Sequence, residues 1–187
     1  MVIHRSSRTE ASMYRTKNDL PETMRTTIAH LLNARLADLI DLQLQAKQAH
    51  WNVKGPNFIA LHELFDDVTD GAREYVDLVA ERIVQLGGVA EGTLQAVTKS
   101  SQLNVYPLNT GDWIHHVERL SSAIAVAGEG VREGIEKATT YGDAGTADIL
   151  TEISRGLDKR LWFVEAHLQS EGAQTSRGGA RKTTRKR

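Results

Sequence analysis

Residues 61–83 read LHELFDDVTDGAREYVDLVAERI, and two different faces run through them. Leu61, Phe65, Val68, Ala72, Val76, Val79 and Ile83 recur at three- and four-residue steps, the pattern of a helix with one apolar stripe. Four polar residues share another face. Taking His62 as zero and about 100° per residue, His62, Asp66, Asp77 and Glu81 fall at about 0°, 40°, 60° and 100°. The apolar stripe centres about 80° to the other side, so these residues lie beside the core of whatever the helix joins. His and carboxylates one turn apart are metal-ligand spacing, because side chains at i and i+4 reach the same point.

The two pairs cannot serve one ion within one helix. Asp66 and Asp77 are eleven residues apart, roughly 16 Å of helix rise, whereas a metal site is only about 4 Å across. They can meet across a two-fold axis. In an antiparallel pairing of the helix with its own copy, facing residues have numbers of constant sum. His62 with Glu81 and Asp66 with Asp77 both total 143. One axis between Gly71 and Ala72 therefore completes two equivalent sites, as an isologous contact requires. Asp70 and Arg73 total 143 as well and lie on the same face, which predicts a salt bridge between subunits. A solvated polar face with accidental spacing would read the same in one chain.

Working outward, four amphipathic helices emerge. The first follows Leu20-Pro21 and runs to about His50, after which Gly55-Pro56-Asn57 breaks the chain. The second runs from about Phe58 to Leu86 and ends at Gly87-Gly88. A connection over about 89–109 has room for a short extra helix. The third helix, capped by Asn109 or Thr110, reaches about Thr139, and the fourth spans about Gly145 to Ser170. The fold class is all-α, a four-helix bundle with a crossover between helices two and three. Di-iron sites inside such bundles use Glu-x-x-His pairs, and no histidine here has a glutamate three residues before it.

Composition narrows the chemistry. The 187 residues include no cysteine, which excludes disulfides, thiolate metal sites and thiol nucleophiles. A metal must be held by His, Asp or Glu, which suits iron, manganese or zinc. There is no signal-peptide pattern and no run of membrane-spanning length, so no membrane partner and a cytoplasmic location are expected. The net charge of −1 hides an asymmetry: residues 1–18 carry +3 and residues 174–187 carry +6, leaving −10 on the middle. The expected organisation is a basic, disordered arm over 1–18, the bundle over 19–171 and a basic, disordered tail over 172–187. Arg177, Arg181, Lys182, Arg185, Lys186 and Arg187 form an electrostatic footprint for phosphate. Without interleaved aromatics, DNA binding there would be nonspecific and salt-sensitive.

Several motifs then resemble the Dps family, the DNA-binding proteins from starved cells. They are Ala49-His50-Trp51-Asn52 through Gly55, Phe58, His62 and Asp66, followed by Asp77, Ala80-Glu81-Arg82, Gln85-Leu86-Gly87-Gly88 and Gly92-Thr93. Thr146-Ala147-Asp148-Ile149-Leu150, Leu157-Asp158-Lys159 and Leu161-Trp162-Phe163 are similar to the family's last helix. The resemblance covers about residues 20–170 and implies a ferritin-like subunit of a hollow homododecamer, cytoplasmic and nucleoid-associated. It implies iron as the metal and ferroxidase activity with hydrogen peroxide as oxidant, ferric mineral being stored in the cavity. The family's ligands map onto His50, His62 and Asp66 of one subunit with Asp77 and Glu81 of its two-fold partner. Trp51 matches a tryptophan near the site that takes up stray oxidising equivalents. Asp143 and Asp148 are candidates for an iron-admitting pore, with helix capping an equal alternative. His115, His116 and His167 read as surface or packing residues.

Overall fold

Proline cannot donate a backbone hydrogen bond, and Pro21 stands where none is needed. Its carbonyl accepts from the N–H groups of Met24 and Arg25, each at 3.0 Å, and opens α1 (Glu22–Asn52). The computed structural model describes residues 13–169, and among them five helices and no strand. After α1 come α2 (Phe58–Gln85), α3 (Leu94–Ser100), α4 (Trp113–Thr140) and α5 (Ala144–Ala166). The short connections pair α1 with α2 and α4 with α5 as hairpins, and α4 packs on α1 while α5 packs on α2. This is the bundle with a crossover, and the crossover contains the short helix α3. None of these helices is long and apolar enough to cross a membrane.

Every residue of the α2 stripe is buried except Val76, which is half-buried. They meet Leu32, Leu36, Leu39, Leu42 and Ala46 of α1, with Leu120, Ile124, Leu150, Ile153 and Leu157 closing the core from α4 and α5. Such side chains each contribute about 1.5–3 kcal/mol on full burial, which makes this the main stabilising layer. The crossover is fastened by polar contacts instead. Asp38 accepts from Gln102 N–H (2.7 Å), Asp41 from the Ser101 hydroxyl (2.6 Å), and Gln45 donates to the Asn104 carbonyl (3.0 Å).

Two boundaries differ from the expectation. The cap of α4 is Asp112, whose carboxylate accepts from His115 N–H at 3.0 Å, rather than Asn109 or Thr110. Thr110 is already committed to a turn, its hydroxyl donating to the Pro107 carbonyl, so the helix starts later. Residues 13–20, most of which the sequence reading puts in the N-terminal arm, lie against the bundle end. Tyr14 N–H donates to the Gly87 carbonyl, and Arg25 ties the Leu20 and Leu86 carbonyls together. Gly87 is required there: its φ is +89°, and a Cβ would sit 2.5 Å from the Tyr14 carbonyl oxygen. The remainder of that arm and the C-terminal tail with its six basic residues lie outside the described residues.

Candidate metal centre

The turn at Val53–Asn57 folds the end of α1 onto the start of α2, which brings His50 against His62. Their rings stack with centroids 3.7 Å apart and 22° between planes. His50 Nδ1 is 2.8 Å from the His62 carbonyl oxygen, and His62 Nδ1 is 2.9 Å from that of His50. A carbonyl only accepts, so each Nδ1 carries the hydrogen and donates. Both Nε2 atoms are then left with a free lone pair. That is the tautomer a metal ion binds, with the second ring nitrogen oriented by a backbone acceptor.

Asp66 lies one turn beyond His62, its Oδ1 3.9 Å from His50 Nδ1. It is salt-bridged to Lys47, a residue the sequence reading did not single out. The hydrogen bond from the Lys47 ammonium holds the Asp66 carboxyl below the usual range, and His50 and His62 add to this. Lys47 precedes His50 by three residues and so shares its helix face. That spacing was the one signal that could have found it.

Asp77 and Glu81 are exposed on the same side of α2, more than two turns further along. The two halves therefore stay apart in a single chain. His50, His62 and Asp66 are neighbours but do not converge on one point, since Asp66 is turned to Lys47. Among the described residues, no group of three or more metal-binding side chains closes on an ion.

Several features of the α2 face bear on the register of constant sum. Ile59 and Val84 also total 143, and both are large apolar side chains left open, 62% and 58% exposed. Beside Val84 is an apolar hollow of about 480 Å³ lined by Ala80, Glu81, Gln85 and Ala90. In the antiparallel register Ile59 falls opposite it. Asp70 and Arg73 pair with each other within one helix, at 3.2 Å and both exposed. Gly71 faces inward, where Arg160 fills the space a Cβ would need at 2.2 Å. An axis at the height of Gly71–Ala72 must pass on the side of Asp70 and Arg73.

The remaining candidates separate clearly. Trp51 stands in solvent beside His50. Asp143 is 3% exposed, and both its oxygens are used: they accept from Thr146 N–H (2.9 Å), the Thr146 hydroxyl (2.5 Å) and Arg82 (2.7 Å). Within the chain Asp143 is thus engaged as the cap of α5 and the partner of Arg82. Asp148, one turn on, is exposed. His115 is exposed against Asp112 (3.0 Å), and His167 is half-buried at the end of α5. His116 is buried and bonded to Tyr106, another contact that sequence reasoning missed.

Comparison with known proteins follows the same lines. The family model described as Ferritin-like domain matches residues 29–171. The chain is 46% identical over 158 residues to the DNA protection during starvation protein of Agrobacterium fabrum, covering 84% of this chain and 98% of that one. Among solved structures it is similar to DpsA14 from Streptomyces coelicolor, with a TM-score of 0.81 and 38% identity over 87% of this chain and 96% of the other. It is similar also to Dps from Microbacterium arborescens in a high iron form, with a TM-score of 0.74, 33% identity, and coverage of 84% and 99%.

Proposed function

The chain belongs to the Dps family of ferritin-like proteins, and on that premise we propose that it is a ferroxidase and iron-storage protein that protects DNA. It oxidises Fe(II), preferably with hydrogen peroxide, at sites shared between two subunits, and stores Fe(III) inside a dodecameric cage. The observation that carries this reading is the reciprocal His50–His62 bracket, which leaves two imidazole Nε2 lone pairs free, with Asp66 Oδ1 3.9 Å from His50 Nδ1. Imidazole and carboxylate suit iron, and ferric iron, the harder cation, favours the oxygen ligands.

His50, His62 and Asp66 form one half of the site, and Asp77 and Glu81 of the partner form the other. Two facts support this division. The acidic half is solvent-exposed on an unpartnered face, and the apolar ends of that face, Ile59 and Val84, obey the same register. The Lys47 ammonium occupies the Asp66 carboxylate until iron displaces it.

The chemistry follows from the pairing. Two ferrous ions each give one electron to one peroxide, which with two protons becomes two waters, and no hydroxyl radical is released. Carboxylates from both subunits stabilise the ferric product. Asp143 and Asp148 are the candidates on the path by which iron is admitted, and Asp148 is the exposed one. The tail residues Arg177, Arg181, Lys182, Arg185, Lys186 and Arg187 supply nonspecific, salt-sensitive DNA binding, strengthened by repetition over the particle.

The test is stopped-flow Fe(II) oxidation on the assembled protein, with peroxide and dioxygen compared. A faster peroxide reaction in the native protein, abolished in a His50→Ala, Asp77→Ala double variant, is the expected result. An unchanged rate in that variant would remove the site.

A further inference from the structure

Tyr106 and His116 form a buried, hydrogen-bonded pair. Tyr106 is in the crossover and 9% exposed; His116 is in the first turn of α4 and 1% exposed. The phenol oxygen is 2.5 Å from His116 Nδ1, and the rings lie at 29° with centroids 6.1 Å apart. Among the described residues, His116 Nε2 is buried without a hydrogen-bond partner.

Counting donors settles which atom holds the shared hydrogen. If Nδ1–H donated to the phenol oxygen, the phenol hydrogen and the Nε2 lone pair would both be left over. If the phenol donates to Nδ1, only Nε2–H is left over, and the second arrangement is favoured. The phenol thus points its proton at a neutral imidazole, and burial, which pushes the His116 imidazole down and the Tyr106 phenol up, keeps both groups neutral at rest. A buried group left unsatisfied in a native protein calls for an explanation, and a redox role is one of the few available.

Resting on the ferroxidase reading, we infer that Tyr106 is a hole sink for this protein: it surrenders an electron to one-electron oxidants formed at the iron site while its proton passes to His116. The oxidant is hydroxyl radical, made when a lone Fe(II) gives one electron to peroxide and leaves Fe(III) and hydroxide. An electron from Tyr106 and a proton from solvent turn hydroxyl radical into water. The phenol proton moves to Nδ1, leaving a neutral tyrosyl radical and an imidazolium. A further Fe(II) then supplies an electron, the imidazolium returns the proton, and Tyr106 and His116 are restored. The net change is one hydroxyl radical, one Fe(II) and one proton becoming one Fe(III) and one water.

Position favours this residue. Tyr106 shares a small cavity with Gln45 of α1, and Gln45 precedes His50 by five residues, about 7.5 Å of helix rise. Trp113, one turn before Val117 on α4, lies against Gly55 in the connection between the two histidine-bearing helices, its Cδ1 3.2 Å from where a Cβ would be. With Trp51 beside His50, this end of the bundle gathers two indoles around the metal-binding histidines. The other described tyrosines lack a base: Tyr75 receives a hydrogen bond from Arg160 at 3.0 Å, Tyr14 is exposed and Tyr141 is half-buried.

The experiment uses the full-length assembled protein in two arms. In the first, Fe(II) below site stoichiometry and hydrogen peroxide are mixed, freeze-quenched and examined by electron paramagnetic resonance, with Fe(III) absorbance read on the same sample. A tyrosyl radical is expected in the native protein, lost in Tyr106→Phe and largely lost in His116→Gln, with Fe(III) formation unchanged and more radical captured by a spin trap. In the second arm, azide radicals from pulse radiolysis oxidise the iron-free protein. The hole should settle on tyrosine in the native protein and stay on tryptophan in Tyr106→Phe. A native protein that makes Fe(III) normally without a tyrosyl radical, or a Tyr106→Phe variant with an undiminished one, overturns the inference. If the native protein does not oxidise iron, the ferroxidase reading fails and the azide arm alone decides this one.

Discussion

His50 and His62 lock one another through their backbones: each Nδ1 donates to the carbonyl of the other residue, at 2.8 and 2.9 Å, and the two rings stack. Neither ring can turn without breaking its Nδ1–H bond, so both Nε2 atoms are held in place before iron arrives. Such preorganisation lowers the cost of binding. Replacing His62 by Gln keeps a side chain of similar reach but removes the fixed imidazole. Fe(II) affinity should fall by about 10- to 100-fold, the range found when metal ligands lose their orientation. Isothermal titration under anaerobic conditions measures it, and a wild-type affinity would discard His62 as a ligand.

Lys47 competes with iron for Asp66. The pair is partly exposed, so its net worth is about 0.2–1 kcal/mol. Lys47→Gln should therefore tighten Fe(II) binding by about 1.4- to fivefold, the same energy expressed as an affinity ratio. The hydrogen bond from Lys47 depresses the Asp66 pKa, and its loss lets that pKa rise toward 3.8. The acid limb of iron binding should accordingly move to higher pH in the variant. Unaltered affinity with an unaltered acid limb would mean that the ion pair forms only in the free subunit.

The α2 stripe was legible because one face of that helix meets the core and the opposite one is open, which leaves a clean period in the sequence. α1 is less transparent: it is covered by α2, α3 and α4, so Arg25, Arg35, Asp38 and Gln45 are buried among its leucines. Asp38 and Gln45 are held by partners in the crossover and Arg25 by the Leu20 and Leu86 carbonyls, contacts that no local pattern announces. The same limit hid Lys47 with Asp66 and Tyr106 with His116, which are contacts between different elements. Ligand types and their spacing are local properties and could be read directly. The pairing of Nδ1 atoms with carbonyls depends on the turn at 53–57 and could not.

Asp143 and Asp148 are separable by substitution. Asp143→Asn leaves the Arg82 guanidinium, itself mostly buried, without its carboxylate and weakens the α5 cap. Removing one partner of a buried pair costs about 3–5 kcal/mol, so the unfolding midpoint in urea should drop markedly. Asp148→Asn should leave the midpoint alone and slow iron uptake into the particle. The reverse pattern, a stable Asp143→Asn protein with slow uptake, would assign the pore to Asp143.

His116 should make stability pH-dependent. Burial holds its folded pKa below the 6.5 of the unfolded chain, although Asp112 pulls the other way. As pH falls below about 6.5, the unfolded chain takes up a proton that the folded one refuses, and stability declines until the folded pKa is reached. Above about 6.5 this contribution is fully present. Chemical denaturation across that range should show a decline in the native protein that is missing from His116→Gln. Parallel curves for the two would mean that His116 titrates normally in the fold.

The division of the metal site between subunits has a consequence that no single-chain site can imitate. A variant lacking both His50 and His62 keeps Asp77 and Glu81, and a variant lacking both acids keeps the histidines; each assembled alone should be inactive. In a mixed pair, the histidines of one variant face the acids of the other, and that site is whole, while its mate across the axis keeps Asp66 alone. Random reassembly from equal amounts makes half the interfaces mixed, with one intact site of two. About a quarter of the native ferroxidase rate should therefore return. If all five ligands acted within one chain, every site in the mixture would carry a lesion and the rate would stay at zero.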